Sequence, residues 1–193
     1  MQAIRESDGQ AESVVGEVAD ATVLAEALSL ARDGSRLTAL VNCVGANIPD
    51  RSLRNLTAEA WSSMLRTNLD SAFHLTQAVL PTFRAQGDGL IIHVSSRSVH
   101  AADASGVAYQ AAKAGVAALA HATSIEEQSN GIRVSVVYPG MTDTPLVLQR
   151  PTRPTPDELS RALRPEDVAQ VVQVLLDLPT RAYVPDVSIY PAR

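Results

Sequence analysis

Apolar and polar positions along this chain follow two rhythms, and the rhythms take turns. Residues 13–18 (SVVGEV) form a short apolar run that predicts a strand. Over 22–33 the apolar positions Val23, Leu24, Ala27, Leu28 and Ala31 then recur at helical spacing. Residues 37–43 (LTALVNC) read as a buried strand. Thr57 can cap a long helix over 57–80, with Glu59 in the first turn, where an acid suits the positive end of the helix dipole. Trp61, Leu65, Leu69, Phe73, Leu75 and Val79 run along that helix, and Pro81 predicts a kink or an end.

The alternation continues to the last residues. Gly87, Asp88 and Gly89 predict a turn, and residues 90–95 (LIIHVS) are apolar and β-branched enough for a strand buried on both faces. After a loop to Ser105, the alanine-rich, proline-free stretch 107–128 predicts a helix, and 133–138 (RVSVVY) predicts a strand closed by Pro139 and Gly140. Polar, proline-rich 142–156 reads as a mobile loop. Residues 165–178 open with Pro-Glu-Asp as a helix start, and 186–190 (DVSIY) predict a last short strand. Strands alternating with helices define an α/β class: a doubly wound, Rossmann-like parallel sheet in one domain over 1–193, with no repeat and no second domain.

Composition narrows the partners. Sixteen basic and twenty-one acidic side chains leave a net charge of −5 without a run of lysines or arginines, so no footprint for nucleic acid is present. A lone cysteine, Cys43, excludes an internal disulfide, and four scattered histidines make no familiar structural zinc site, which fits a reducing, cytoplasmic setting. Residues 1–16 lack the basic-then-apolar layout of a secretion signal, and no stretch approaches the ~20 apolar residues of a membrane span. The expectation is a soluble protein.

Tyr109 and Lys113, four apart on the predicted helix, share one face and can reach a common ligand. Ser96 ends the strand before that helix, and the carboxyl ends of parallel strands are where open α/β sheets bind ligands. Ser96, Tyr109 thirteen residues on, and Lys113 within Tyr109-Gln110-Ala111-Ala112-Lys113 resemble the active-site signature of the short-chain dehydrogenase/reductase family. Asn42-Cys43-Val44-Gly45 resembles that family's Asn-Asn-Ala-Gly motif. Thr67-Asn68-Leu69 resembles the segment holding its catalytic asparagine, and Pro139-Gly140 with Thr144 its cofactor-side turn.

The resemblance implies a catalytic set of Asn68, Ser96, Tyr109 and Lys113, and NADP or NAD held by Val18, Asn42, Gly45, Tyr109, Lys113, Pro139, Gly140, Thr142 and Thr144. The substrate would be a small carbonyl compound or secondary alcohol, and the protein a homo-oligomer. Hydride transfer to a carbonyl carbon places negative charge on its oxygen, so a proton donor is needed there, and Tyr109 would be it. A free phenol has a pKa of about 10, so Lys113 is expected to lower it. The resemblance further implies that Lys113 holds the nicotinamide ribose, that Ser96 bonds the substrate oxygen and that Asn68 orders a water relay.

Three departures stand against the resemblance. Cys43 and Val44 replace the usual Asn and Ala, and Glu17 stands where the family tends to place an aspartate. No glycine-rich strand-to-helix turn precedes Ser13, so the first strand-helix-strand unit is expected to be missing, the chain N-terminally truncated, and the 37–43 strand left as an open edge. The rival to the enzyme is therefore an inactive relative serving as a binding or assembly protein.

Overall fold

The computed structural model describes residues 4, 9–32 and 36–192. Helix α1 (Ala21–Arg32) lies where 22–33 predicts it, Asp33 itself falling outside the described residues. It is followed by β1 (Ala39–Asn42). Thr57 caps α2 (Ala58–Leu65) by accepting from the Ala60 N–H, as its position requires. A π-helical turn, Arg66–Asp70, joins α2 to α3 (Ser71–Gln86).

Pro81 neither ends nor interrupts α3, which runs on to Gln86. Both Pro81 and Gln77, whose carbonyl loses its partner to the proline, are exposed, so water can satisfy what the ring removes. Termination falls instead to Gly87, in the left-handed conformation at φ 64°.

The remaining elements are β2 (Gly89–Val94), α4 (Val107–Glu127), β3 (Ile132–Pro139), α5 (Pro156–Ser160), α6 (Pro165–Asp177) and β4 (Asp186–Ile189). The four strands pair in the order β1-β2-β3-β4, all parallel, as the alternation of strands and helices predicts. Alternate residues of β3 face opposite ways. Val134, Val136 and Tyr138 pack with Val79, Phe83 and Ala120 of α3 and α4, whereas Val137 joins Leu90, Ile92, Val172 and Leu175 on the α6 side. The result is a three-layer α/β/α core of the Rossmann-like type.

One expected strand is not there. Residues 13–18 are irregular, and Val15 is 95% exposed. A strand gains its hydrogen bonds only from a neighbour, and among the described residues β1 pairs with β2 alone, so 13–18 has no place in the sheet. The opposite omission is α5, inside and beyond what reads as loop. Thr155 accepts from the Glu158 N–H while Glu158 returns a bond to the Thr155 N–H, a capping box written openly in Thr-Pro-Asp-Glu.

Candidate active site

The carboxyl ends of β1, β2 and β3 open into a cavity of about 1240 Å³, larger than the ~300–1,000 Å³ of a pocket for a drug-sized ligand. Gly45, Ser96, Tyr109, Lys113, Pro139, Gly140, Thr142 and Thr144 all line it. Val18, Asn42 and Asn68 do not. Val18 lies in a turn ahead of α1, while Asn42 and Asn68 are buried behind the wall.

Each position has a local cause. Ser96 leaves β2 and caps a short turn, Arg97–Val99, where its Oγ accepts from the Ser98 N–H at 3.2 Å and the Ser98 hydroxyl at 3.0 Å. With its lone pairs so occupied, its own proton is free to point at the phenol. Lys113, on α4, sends its Nζ to the carbonyls of Val44 at 3.2 Å and Val94 at 3.0 Å, at the ends of β1 and β2. Burial pulls that ammonium down to about 8, with only Cys43 acting in its favour.

The expectation that Lys113 lowers the Tyr109 phenol is not met. Burial pushes the phenol up from its ordinary value, the Ser96 hydrogen bond opposes this, and the charges that follow are Asp103, Arg51 and Arg150. Lys113 stands 6.0 Å from the ring centroid with its donors directed at backbone carbonyls. Desolvation therefore outweighs the cations, and the phenol is an acid at neutral pH.

Asn68 sits in the π-helical turn, where the Ser71 N–H reaches back to the Arg66 carbonyl and the Ser71 hydroxyl takes up the Thr67 carbonyl at 2.7 Å. The wider turn swings Asn68 inward. Its Oδ1 accepts from the Ala46 N–H at 3.1 Å, and its Nδ2 donates to the carbonyls of Ala46 and Met64. The residue thus fastens the Gly45–Ala46 backbone beneath Lys113. A Cβ on Gly45 would lie 3.1 Å from Lys113 Nζ and 3.3 Å from Asn68 Oδ1, so glycine suits this close approach. Asn42 belongs to a second buried network: its Nδ2 meets His93 Nδ1 at 3.1 Å, His93 Nε2 meets Thr76 Oγ1 at 3.1 Å, and its Oδ1 accepts from the Val44 N–H.

Several lining residues carry no signal that points to them. Arg51 and Arg150 come from loops whose composition says nothing of burial. Val168, Val172 and Leu176 of α6 were more legible, since their spacing of four puts them on one apolar face. Among the described residues no cluster of side chains could hold a metal ion, and no helix is long and apolar enough to cross a membrane.

A parallel doubly wound sheet with serine, tyrosine and lysine gathered at its carboxyl edge is the framework of a Rossmann-like oxidoreductase. The chain belongs to the short-chain dehydrogenase/reductase family: the family's short chain dehydrogenase model matches residues 1–154. It is 32% identical over 180 residues to cis-4-hydroxycyclohexanecarboxylate dehydrogenase of Sinomonas cyclohexanicum, covering 90% of this chain and 72% of that one. An uncharacterised oxidoreductase of Staphylococcus haemolyticus is 28% identical over 151 residues, 78% of this chain, and the present chain spans only 63% of its length. Among solved structures, a short-chain dehydrogenase/reductase from Burkholderia xenovorans superposes with a TM-score of 0.84 at 28% identity, covering 97% of this chain and 76% of that one. A metagenomic short-chain oxidoreductase in complex with NADP gives a TM-score of 0.80 at 25% identity over 100% of this chain and 80% of its own.

Proposed function

We propose that this chain carries the catalytic part of an NAD(P)-dependent reductase that converts a small carbonyl compound to an alcohol. The observation behind this reading is the convergence of Ser96, Tyr109 and Lys113 on one large cavity at the carboxyl edge of the sheet. The cavity lining includes residues that would hold the nicotinamide-ribose half of the cofactor. Gly45 leaves room at the β1 end, Lys113 offers a buried ammonium, and Pro139, Gly140, Thr142 and Thr144 bound the opposite wall. For the pyrophosphate half, the described residues contain no glycine-rich loop leading from a strand into a helix.

When bound, the nicotinamide supplies hydride to the carbonyl carbon and is itself oxidised. The protein's own part is the proton and the electrostatics. Tyr109, kept protonated by burial, donates its phenol proton to the carbonyl oxygen as negative charge grows there. Ser96 turns its hydroxyl proton from the phenol to the same oxygen, and Lys113 would hold the cofactor's ribose while standing behind the phenol. Asn68 acts at one remove, by holding the Gly45–Ala46 backbone that forms the floor under Lys113. A raised phenol favours this reductive direction, because the acid form is the resting form.

The test is steady-state kinetics with NADH and NADPH over a panel of small ketones and aldehydes, with direct nucleotide titration. Tyr109→Phe is expected to cut turnover by about 10² or more, the usual loss for a general acid, while nucleotide affinity changes little. Retention of roughly a tenth of the parent rate refutes the assignment of Tyr109 as proton donor.

A further inference from the structure

The cavity holds a charge pattern that proton transfer does not need. Among the described residues its charged lining consists of Arg51, Arg97, Lys113 and Arg150 against Asp103 alone, four cations to one carboxylate in a chain whose net charge is −5. Arg51 is the most unusual of these, being only 8% exposed. Its Nε donates to the Ile48 carbonyl at 2.7 Å, which fixes the plane of the guanidinium, but its Nη2 is sealed from water without any hydrogen-bond partner. Buried arginine nitrogens are normally satisfied, so this orphaned donor marks a guanidinium whose hydrogen bonding is incomplete in the wall of the cavity that Arg51 lines.

The surroundings hold Arg51 in that position. Gly106, at a positive φ of +86° that a residue with a side chain rarely adopts, lets its backbone lie against the Arg51 stem, where a Cβ would fall 2.6 Å from Arg51 Cβ. Asn47 Nδ2 donates to the Ser105 carbonyl at 2.9 Å and ties the Arg51 loop to the loop that follows Ser96. From the other side, Arg150 rides on the loop after β3. Burial first, then the Arg150 charge, holds the Arg51 guanidinium below the ordinary arginine range. Two like charges, one buried and one half-buried, repel, and the nearby carboxylates do not cancel them. Asp103 acts on Arg51, and Arg150 on Glu158, yet neither carboxylate closes an ion pair with its arginine.

We propose that Arg51 and Arg150 form an anion subsite beside Tyr109, so that the substrate is a carbonyl compound bearing a carboxylate. A carboxylate between the two guanidiniums would relieve the repulsion, take the Nη2–H once the Arg51 side chain turns to meet it, and carry the carbonyl towards the phenol, since both arginines line the same cavity as Tyr109 and act electrostatically on it. The inference rests on the reductase reading for its chemistry, but the subsite itself can be tested without turnover.

The probe pair is 4-oxopentanoate and its methyl ester, equal in reach and differing by one charge. With NADPH, the parent is expected to favour the acid in kcat/KM by about 10- to 100-fold, the range for a hydrogen bond to a charged group. Arg51→Gln brings that ratio towards one. Arg150→Gln, on a loop half open to water, does so in part and keeps the test available if Arg51→Gln does not fold. A parent that prefers the ester, or variants that lower acid and ester alike, overturns the proposal. So does a rise in the NADPH dissociation constant with the acid-to-ester ratio unchanged, which assigns the arginines to nucleotide phosphate. If neither probe is reduced, calorimetric titration with 4-oxopentanoate decides. Binding that both variants lose upholds the anion subsite while the reductase reading fails, and no binding to the parent overturns the subsite.

Discussion

Replacing Lys113 with methionine exposes the energetic cost of the site. The side chain is 4% exposed, and burial holds its ammonium down to about 8, against about 10.4 for a free lysine. Each unit is worth 1.36 kcal/mol, so the folded state bears roughly 3 kcal/mol of penalty for the charge at any pH well below 8. Lys113→Met removes the penalty but also strips a donor from the Val44 and Val94 carbonyls, at about 1 kcal/mol apiece. At neutral pH the variant is therefore expected to be more stable than the parent, by about 1 kcal/mol.

The pH dependence is the sharper readout. Between about 8 and about 10.4 the unfolded chain holds a proton on Lys113 that the folded chain has released, so the parent gains stability as pH rises through this window. The variant lacks that gain, and the two curves cross, leaving the parent ahead by about 1–2 kcal/mol once the lysine is neutral in both states. Urea unfolding followed by circular dichroism at intervals from pH 7 to 10.5 measures the difference, and the other titrating groups are common to both proteins. Parallel curves, or a variant less stable than the parent at pH 7, refute the reasoning. The stabilised variant is also expected to lose nucleotide affinity, so stability and function trade against each other at one atom.

Two further outcomes follow from the buried network and the open edge. His93 is fully buried between Asn42 and Thr76, and burial, then Lys113, holds its imidazole down to about 4. Because this lies below the unfolded value of about 6.5, its contribution is complete above 6.5 and is lost as pH falls towards 4, up to roughly 3 kcal/mol. His93→Gln should flatten that acid limb in urea titrations from pH 7 to 4, and equal slopes in both proteins count against it. Strand β1 is unpaired on one side among the described residues and leaves Val41 39% exposed, so the chain is expected to self-associate in light scattering, with Val41→Lys shifting it towards monomer. A parent that stays monomeric across a wide concentration range removes the basis for that expectation.

How much of this was legible in the sequence depends on whether the determinant is local. The 90–95 run is nearly continuous in apolar and β-branched residues, broken by His93, and all of it but Ser95 lies in the strand whose first five residues are all buried. Thr57 capped its helix, Gly87 ended one, and Ser96, Tyr109 and Lys113 met in one cavity, because a cap, a left-handed glycine and a four-residue helical spacing each act over a single turn. Thr155 to Glu158 belonged to the same legible kind, although the surrounding prolines masked its short helix. Residues 13–18 show the limit: an apolar run states that a strand is affordable, but only a neighbour makes it one.

Tertiary structure alone decided the electrostatics. No local feature distinguishes Arg51 from the exposed Arg54 three residues on, yet Arg51 is buried by contacts with Gly106 and its neighbours. Lys113 was placed by its helix, but whether its ammonium serves the phenol or two carbonyls depended on where β1 and β2 end beside it. Periodicity and caps are properties of consecutive residues. Desolvation is a property of whatever distant segments close over a group, and it was desolvation that set the charge states of Lys113, Tyr109 and His93.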